Sequence, residues 1–263
     1  MQEKVFIKNK KGLRIASVIH RPEKKGKYPT IVLLHGFRGY KEEVQIVMLA
    51  NELEQNGFVV VRFDTSGYGE SEGTTEYDYR LSNFYSDTES VFKYLQTQSY
   101  VDLDKLGLFG HSLGGTLAIV FASQNPWLKA VCVVSPPTES ARKDNHERIK
   151  LWEESGWYEK ETTQFGLKKF PFEFVIDSKK YNALHFIDKV TMPILFILGT
   201  ADKQVTPRNT KEIFELANSP KELIEIEGMN HHYQKVPEQL AKINVNVVDF
   251  FKKNIMLCRL SEK

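Results

Sequence analysis

The sequence predicts an α/β fold, a mostly parallel central sheet with helices on its faces. Three observations predict it. Short, largely apolar runs at 31–34, 58–63, 106–109, 130–134 and 193–198 read as strands buried on both faces. Stretches with helical spacing lie between them, as at Val44, Val47, Met48 and Leu53. Regular alternation of the two requires crossover connections, which leave successive strands parallel in one sheet.

Each element has a local reason. Val5-Phe6-Ile7 precedes the turn Asn9-Lys10-Lys11-Gly12, and Leu13, Ile15 and Val18 come after it, the pattern of a hairpin. A strand at 31–34 leads through a glycine turn into the helix that begins near Val44 and stops at Asn56-Gly57. A strand over 58–63, a helix over 81–98, a strand over 106–109, a helix over 113–123 and a strand over 130–134 continue the alternation. The rhythm breaks over 135–189, which holds two charged helical patches near 139–154 and 186–189 and a concentration of aromatic residues, Trp152, Trp157 and Phe172 among them. It resumes with a strand over 193–198, a helix over 207–217, a strand over 222–226 and a helix over 237–253. One sheet is interrupted, so the expected organisation is a core of 1–134 and 190–263 carrying a small cap insertion at 135–189.

Composition narrows the function. The 263 residues carry 41% hydrophobic and 27% charged side chains, an ordinary globular balance that excludes disorder and coiled coil. No apolar run approaches the roughly 20 residues of a membrane span, and the first residues lead directly into a strand pattern with no signal peptide. The formal charge of +2, from 36 basic against 34 acidic residues, shows no one-sided excess, so no nucleic-acid partner is expected. Cys132 and Cys258 form neither a disulfide framework nor a metal cluster. A cytoplasmic location is the default expectation, with no metal and no organic cofactor.

Chemistry concentrates at a few positions. Gly110-His111-Ser112-Leu113-Gly114 comes after a buried strand and opens a helix, the context of a nucleophile elbow. Side chains two residues before and after such a serine would collide with neighbouring backbone, hence the glycines. A serine needs a base, and the base needs an acid to set its tautomer. Of seven histidines, His20 falls on an edge-like strand, His146 and His185 in the insertion, His35 at the end of an early strand and His111 inside the elbow. His231 and His232 remain, in the loop after the last strand, and His231 is the preferred base. Asp202, after the penultimate strand, is the acid. An oxyanion needs two N–H donors near Ser112; Leu113 supplies one by position, and Phe37 in His35-Gly36-Phe37 is the choice for the other.

Together these motifs resemble the α/β-hydrolase superfamily, in the order nucleophile, acid, base. The stretch Asp64-Thr65-Ser66-Gly67-Tyr68-Gly69-Glu70-Ser71 is similar to a superfamily loop, with Ser66 where many members carry Arg or Asn, and there Asp64 reads as a brace for the turn. His35-Gly36-Phe37-Arg38-Gly39 with an insertion after the sixth core strand is similar to cinnamoyl/feruloyl esterases and related carboxylesterases. The resemblance implies a serine esterase acting through an acyl-enzyme on a small-molecule ester, with Trp152, Trp157 and Phe172 as substrate-binding candidates and a homodimer as an allowed assembly. Monoacylglycerol lipases and serine peptidases of this fold share most of these residues, and a non-catalytic binding scaffold is the reading from another class.

Overall fold

The computed structural model describes residues 1–162 and 164–257, without the side chains of residues 142 and 143. Cys258 lies outside the described residues. An eight-stranded sheet runs in the order β1 (Gln2–Lys8), β2 (Arg14–His20), β4 (Val59–Phe63), β3 (Tyr28–Leu34), β5 (Val101–His111), β6 (Ala130–Val134), β9 (Ile194–Gly199), β10 (Lys221–Ile226). β1 pairs with β2 and β2 with β4 antiparallel; every other pair is parallel.

Alternate residues of the parallel strands face opposite layers. Val32 and Leu34 pack with α2 (Leu81–Leu95), α3 (Leu113–Gln124) and α7 (Pro207–Leu216). Ile31 and Leu33 pack with α1 (Val44–Gln55) and α8 (Pro237–Phe251). A strand covered on both faces must be apolar at every position, which is why these runs lack alternation.

The departures from expectation are local. α2 stops three residues early because the chain tightens into a turn at Gln98, whose N–H reaches the Leu95 carbonyl. β5 begins at Val101, ahead of the apolar run, with a register shift against β3 between Tyr28 and Thr30. His20 is not on an edge: β1 covers β2, and the buried imidazole sits between Arg62 and Glu54.

Between β6 and β9 the charged patch forms α4 (Glu139–Asp144) and α5 (His146–Ser155). Beyond them the chain makes a hairpin of β7 (Trp157–Thr162) and β8 (Gly166–Pro171) and the short α6 (Glu173–Ser178), none of which the sequence pattern predicts. The hairpin carries charges where a half-buried strand would alternate apolar residues, and one cross-strand pair, Glu159 with Lys169, is an ion pair at 2.6 Å.

Asp64 braces its turn. It accepts from the Lys41 N–H at 2.6 Å, the Lys41 ammonium at 2.8 Å and the Glu70 N–H at 2.8 Å. Lys41 is also fully buried and pairs with Glu70 as well. Breaking a buried pair leaves an uncompensated charge. Asp64→Ala should therefore cost about 3 kcal/mol in urea unfolding; a loss below about 1 kcal/mol would show that Glu70 alone satisfies the lysine.

Candidate active site

Ser112 stands between β5 and α3 with φ +53° and ψ −122°. Its surroundings dictate this backbone. A Cβ on Gly110 would lie 2.2 Å from the Gly114 carbonyl oxygen, and one on Gly114 would lie 2.5 Å from the carbonyl oxygens of Leu34 and His35. The Ser112 N–H donates to Val134 on the neighbouring strand at 2.8 Å, and its carbonyl accepts the first bonds of α3 from Gly115 and Thr116. The turn thus packs directly against the end of β3, leaving the hydroxyl at the carboxyl edge of the sheet.

Two other strand ends deliver its neighbours. The loop after β10 brings His231 Nε2 to 3.1 Å from Ser112 Oγ. The loop after β9 brings Asp202 Oδ2 to 2.8 Å from His231 Nδ1. With the imidazole proton on Nδ1, His231 donates to Asp202 and accepts from Ser112. The second Asp202 oxygen accepts from the N–H groups of Gln204 and Val205, both at 2.9 Å. His232 points elsewhere, its Nε2 lying 2.7 Å from the Gln204 amide nitrogen.

The electrostatics match the geometry. Burial opposes ionisation of Asp202, but the His231 hydrogen bond and the two backbone donors outweigh it and hold the carboxyl below its ordinary range. His111 packs on His231 with ring centres 5.2 Å apart, and burial holds it neutral, its pKa far below the ordinary value.

The two candidate oxyanion donors flank Ser112. Leu113 opens α3, where helical N–H groups lack partners. The turn at Gly36 comes so close that a Cβ there would lie 3.2 Å from Ser112 Cβ, which brings the Phe37 peptide beside the hydroxyl. Neither N–H donates a hydrogen bond to another described residue.

A cavity of about 240 Å³ opens on Ser112 and His231. Leu81, Ile149, Trp152, Tyr158, Phe174 and Tyr181 give it an apolar wall. Of the three aromatic residues expected to meet substrate, only Trp152 lines it. The indole N–H donates to the Phe170 carbonyl at 2.9 Å and the ring stacks on Phe174. Trp157 does not line it: at the start of β7 the side chain is 43% exposed. Phe172 does not either, because it packs edge-on behind Trp152. The hairpin and α6, which have no clear signature in the sequence, decide which aromatic rings face inward. Arg38, Tyr158 and Phe174 also line it although none was singled out as a site residue; Tyr158 and Phe174 belong to the aromatic concentration of 135–189, and Arg38 comes directly after Phe37.

Residues 27–165, more than half of the chain, match the family Hydrolase_4, described as serine aminopeptidase, S33. Over an alignment 284 positions long the chain is 25% identical to a 31.7 kDa protein of the traX-finO intergenic region of Escherichia coli, covering 92% of this chain and 96% of that one. Among solved structures, the complex of DcsB with its substrate analogue superposes with a TM-score of 0.81 at 18% identity, covering 97% and 100% of the two chains. Est1E of Butyrivibrio proteoclasticus with ferulic acid bound gives 0.79 at 23%, covering 96% and 99%. The fold is that of the α/β hydrolases.

The lowered pKa of Asp202 has a consequence for stability. The folded protein binds this proton more weakly than the unfolded chain, so the contribution is present above the ordinary aspartate value of about 3.9 and is lost as pH falls through the lower folded value. Urea midpoints of the wild type should drop more steeply below about pH 4 than those of Asp202→Asn. Parallel curves would mean that Asp202 gains nothing from its partners.

Proposed function

The chain belongs to the serine aminopeptidase, S33, family of hydrolases, and on that premise we propose that it is a carboxylesterase of the cinnamoyl/feruloyl type with Ser112 as nucleophile. One observation carries the reading: the unbroken chain of hydrogen bonds from Ser112 through His231 to Asp202, opening into a cavity with an apolar wall.

His231 takes the Ser112 proton as Oγ attacks the ester carbonyl. The developing oxyanion accepts from the N–H groups of Phe37 and Leu113, while the Asp202 carboxylate steadies the imidazolium. His231 then returns the proton to the departing alcohol, and water repeats the sequence on the acyl-enzyme. In this reading residues 135–189 form a cap, and the acyl group lies under it against Trp152, Phe174 and Tyr158. Est1E, of the same fold, has been solved with ferulic acid bound, and an aromatic wall suits an aryl acyl group. The proposed elbow carries serine and not the aspartate nucleophile of dehalogenases and epoxide hydrolases, so hydrolysis proceeds through an acyl-enzyme.

Turnover of 4-nitrophenyl and methyl ferulate esters tests this. Ser112→Ala and His231→Ala should each lower kcat by at least about 10³-fold, and Asp202→Asn by about 10⁴-fold. His232→Ala should leave kcat within about threefold, because its ring contacts Gln204 and not Ser112. A Ser112→Ala enzyme close to wild type, or a His232→Ala loss larger than that of His231→Ala, would contradict the assignment. Rates on aminoacyl amides and monoacylglycerols exceeding those on aryl esters would replace the esterase reading with a peptidase or lipase.

A further inference from the structure

The apolar wall does not account for Arg38. This residue comes directly after Phe37 and lines the same cavity as Ser112. It holds φ +61°, a conformation uncommon for a residue with a side chain. Such strain persists only where the surroundings enforce it, and it gathers at functional sites. Here the enforcement is visible. The Arg38 N–H donates to the buried Tyr79 hydroxyl at 2.7 Å, and the guanidinium carbon lies 5.6 Å from the ring centres of both Phe37 and Tyr158.

The guanidinium so placed has no counter-ion among the described residues. Arg14, Arg62 and Arg208 each pair with a glutamate, at 2.7 Å in every case. Arg38 forms no ion pair with a described residue. Its Nη1 reaches the Tyr158 hydroxyl at 3.3 Å, while Nε is without a partner and Nη2 donates to no described residue. Nε is buried, so the guanidinium meets an incoming carboxylate with its Nη2 end, a charged donor held in a fixed plane. Arg148 on α5 lines the cavity as a second cation.

Two acids share the lining; Glu43 is near enough to feel the Arg38 charge, yet among the described residues neither acid forms an ion pair with it. Glu43 turns Oε2 beneath the loop, where a Cβ on Gly39 would touch it at 2.6 Å, and burial pushes its carboxyl up to about 7. Glu139 is exposed at the start of α4. A weakly hydrated cation fixed between two rings, partly desolvated and unpaired, is arranged to receive an anion.

We propose that Arg38 anchors a carboxylate of the substrate, so that the preferred esters carry a free carboxylate in addition to the scissile bond. This rests on the esterase reading above and specifies its substrate class. The carboxylate could stand on the acyl chain or on the alcohol, and the assay separates the two. Monomethyl adipate against methyl heptanoate probes the acyl side; acetoxyacetate against propyl acetate probes the alcohol side. In one of these pairs the wild type should favour the anionic ester by at least about tenfold in kcat/KM, and Arg38→Gln should reduce that ratio by at least about tenfold. Arg38→Lys, which keeps the charge and loses the planar guanidinium, should fall between. The ratio is insensitive to a general loss of activity in the variants.

Ratios at or below one in both pairs for the wild type, or a preference that survives in Arg38→Gln, would overturn the anchor while leaving the esterase reading intact. If the wild type turned over none of the four esters, the esterase reading would be at fault. The anchor would then be decided by calorimetric binding of monomethyl adipate and acetoxyacetate to Ser112→Ala protein. Saturable binding of either one that disappears in Ser112→Ala/Arg38→Gln supports it, and no binding of either to Ser112→Ala overturns it.

Discussion

Ser112 holds a backbone conformation that costs a residue with a side chain about 1–3 kcal/mol, and its neighbours permit no other. Gly110 and Gly114 lie against backbone so closely that neither tolerates a Cβ. The Ser112 N–H is committed to β6, and its carbonyl to the first turn of α3. The strain is offset by the sheet and helix that the turn joins, both of them buried in the core. Because the turn cannot relax, the hydroxyl has a fixed address, and the loops after β3, β9 and β10 can be built to meet it.

Those loops are held by different means. Asp202 stays in place through two backbone donors and its own burial. The loop after β3 is tied down by Lys41, whose N–H and ammonium are both bonded to Asp64 and whose carbonyl accepts from Arg62. A charged network buried under the sheet edge thus supports the peptides of Gly36 and Phe37 beside Ser112. Mutations in that network would act on the site through the backbone, without touching any group that meets a substrate.

How much of the molecule is legible in its sequence depends on how local each signal is. The doubly buried strands were visible because burial on two faces leaves only apolar residues. The elbow was visible because its glycines answer to contacts within five residues and one adjacent strand end. Ser112, Asp202 and His231 come together because each stands in the turn or loop that follows a strand, and parallel strands collect such positions on one edge. The segment between β6 and β9 was not legible in the same way. Its hairpin packs Tyr158 and Phe170 on one side and carries mostly charged residues elsewhere, with Lys160 opposite Lys168 and one exposed ion pair between Glu159 and Lys169, a pattern with no helix or sheet period that stands out. Which rings turn inward depends on how β8 and α6 pack on Phe37 and Tyr79, so Trp152 lines the cavity while Trp157 and Phe172 do not. Arg38 was overlooked for another reason: an arginine reads as surface until its missing partner is seen.

The central claim is that His231 activates Ser112 as a nucleophile, and covalent trapping tests it most directly. The protein would be reacted with a fluorophosphonate and the adduct mapped by peptide mass spectrometry. Activation by His231 predicts a single phosphonyl group on Ser112 of the wild type and none on the His231→Ala protein under the same conditions. An unmodified Ser112 in the wild type, or equal modification without His231, would contradict it.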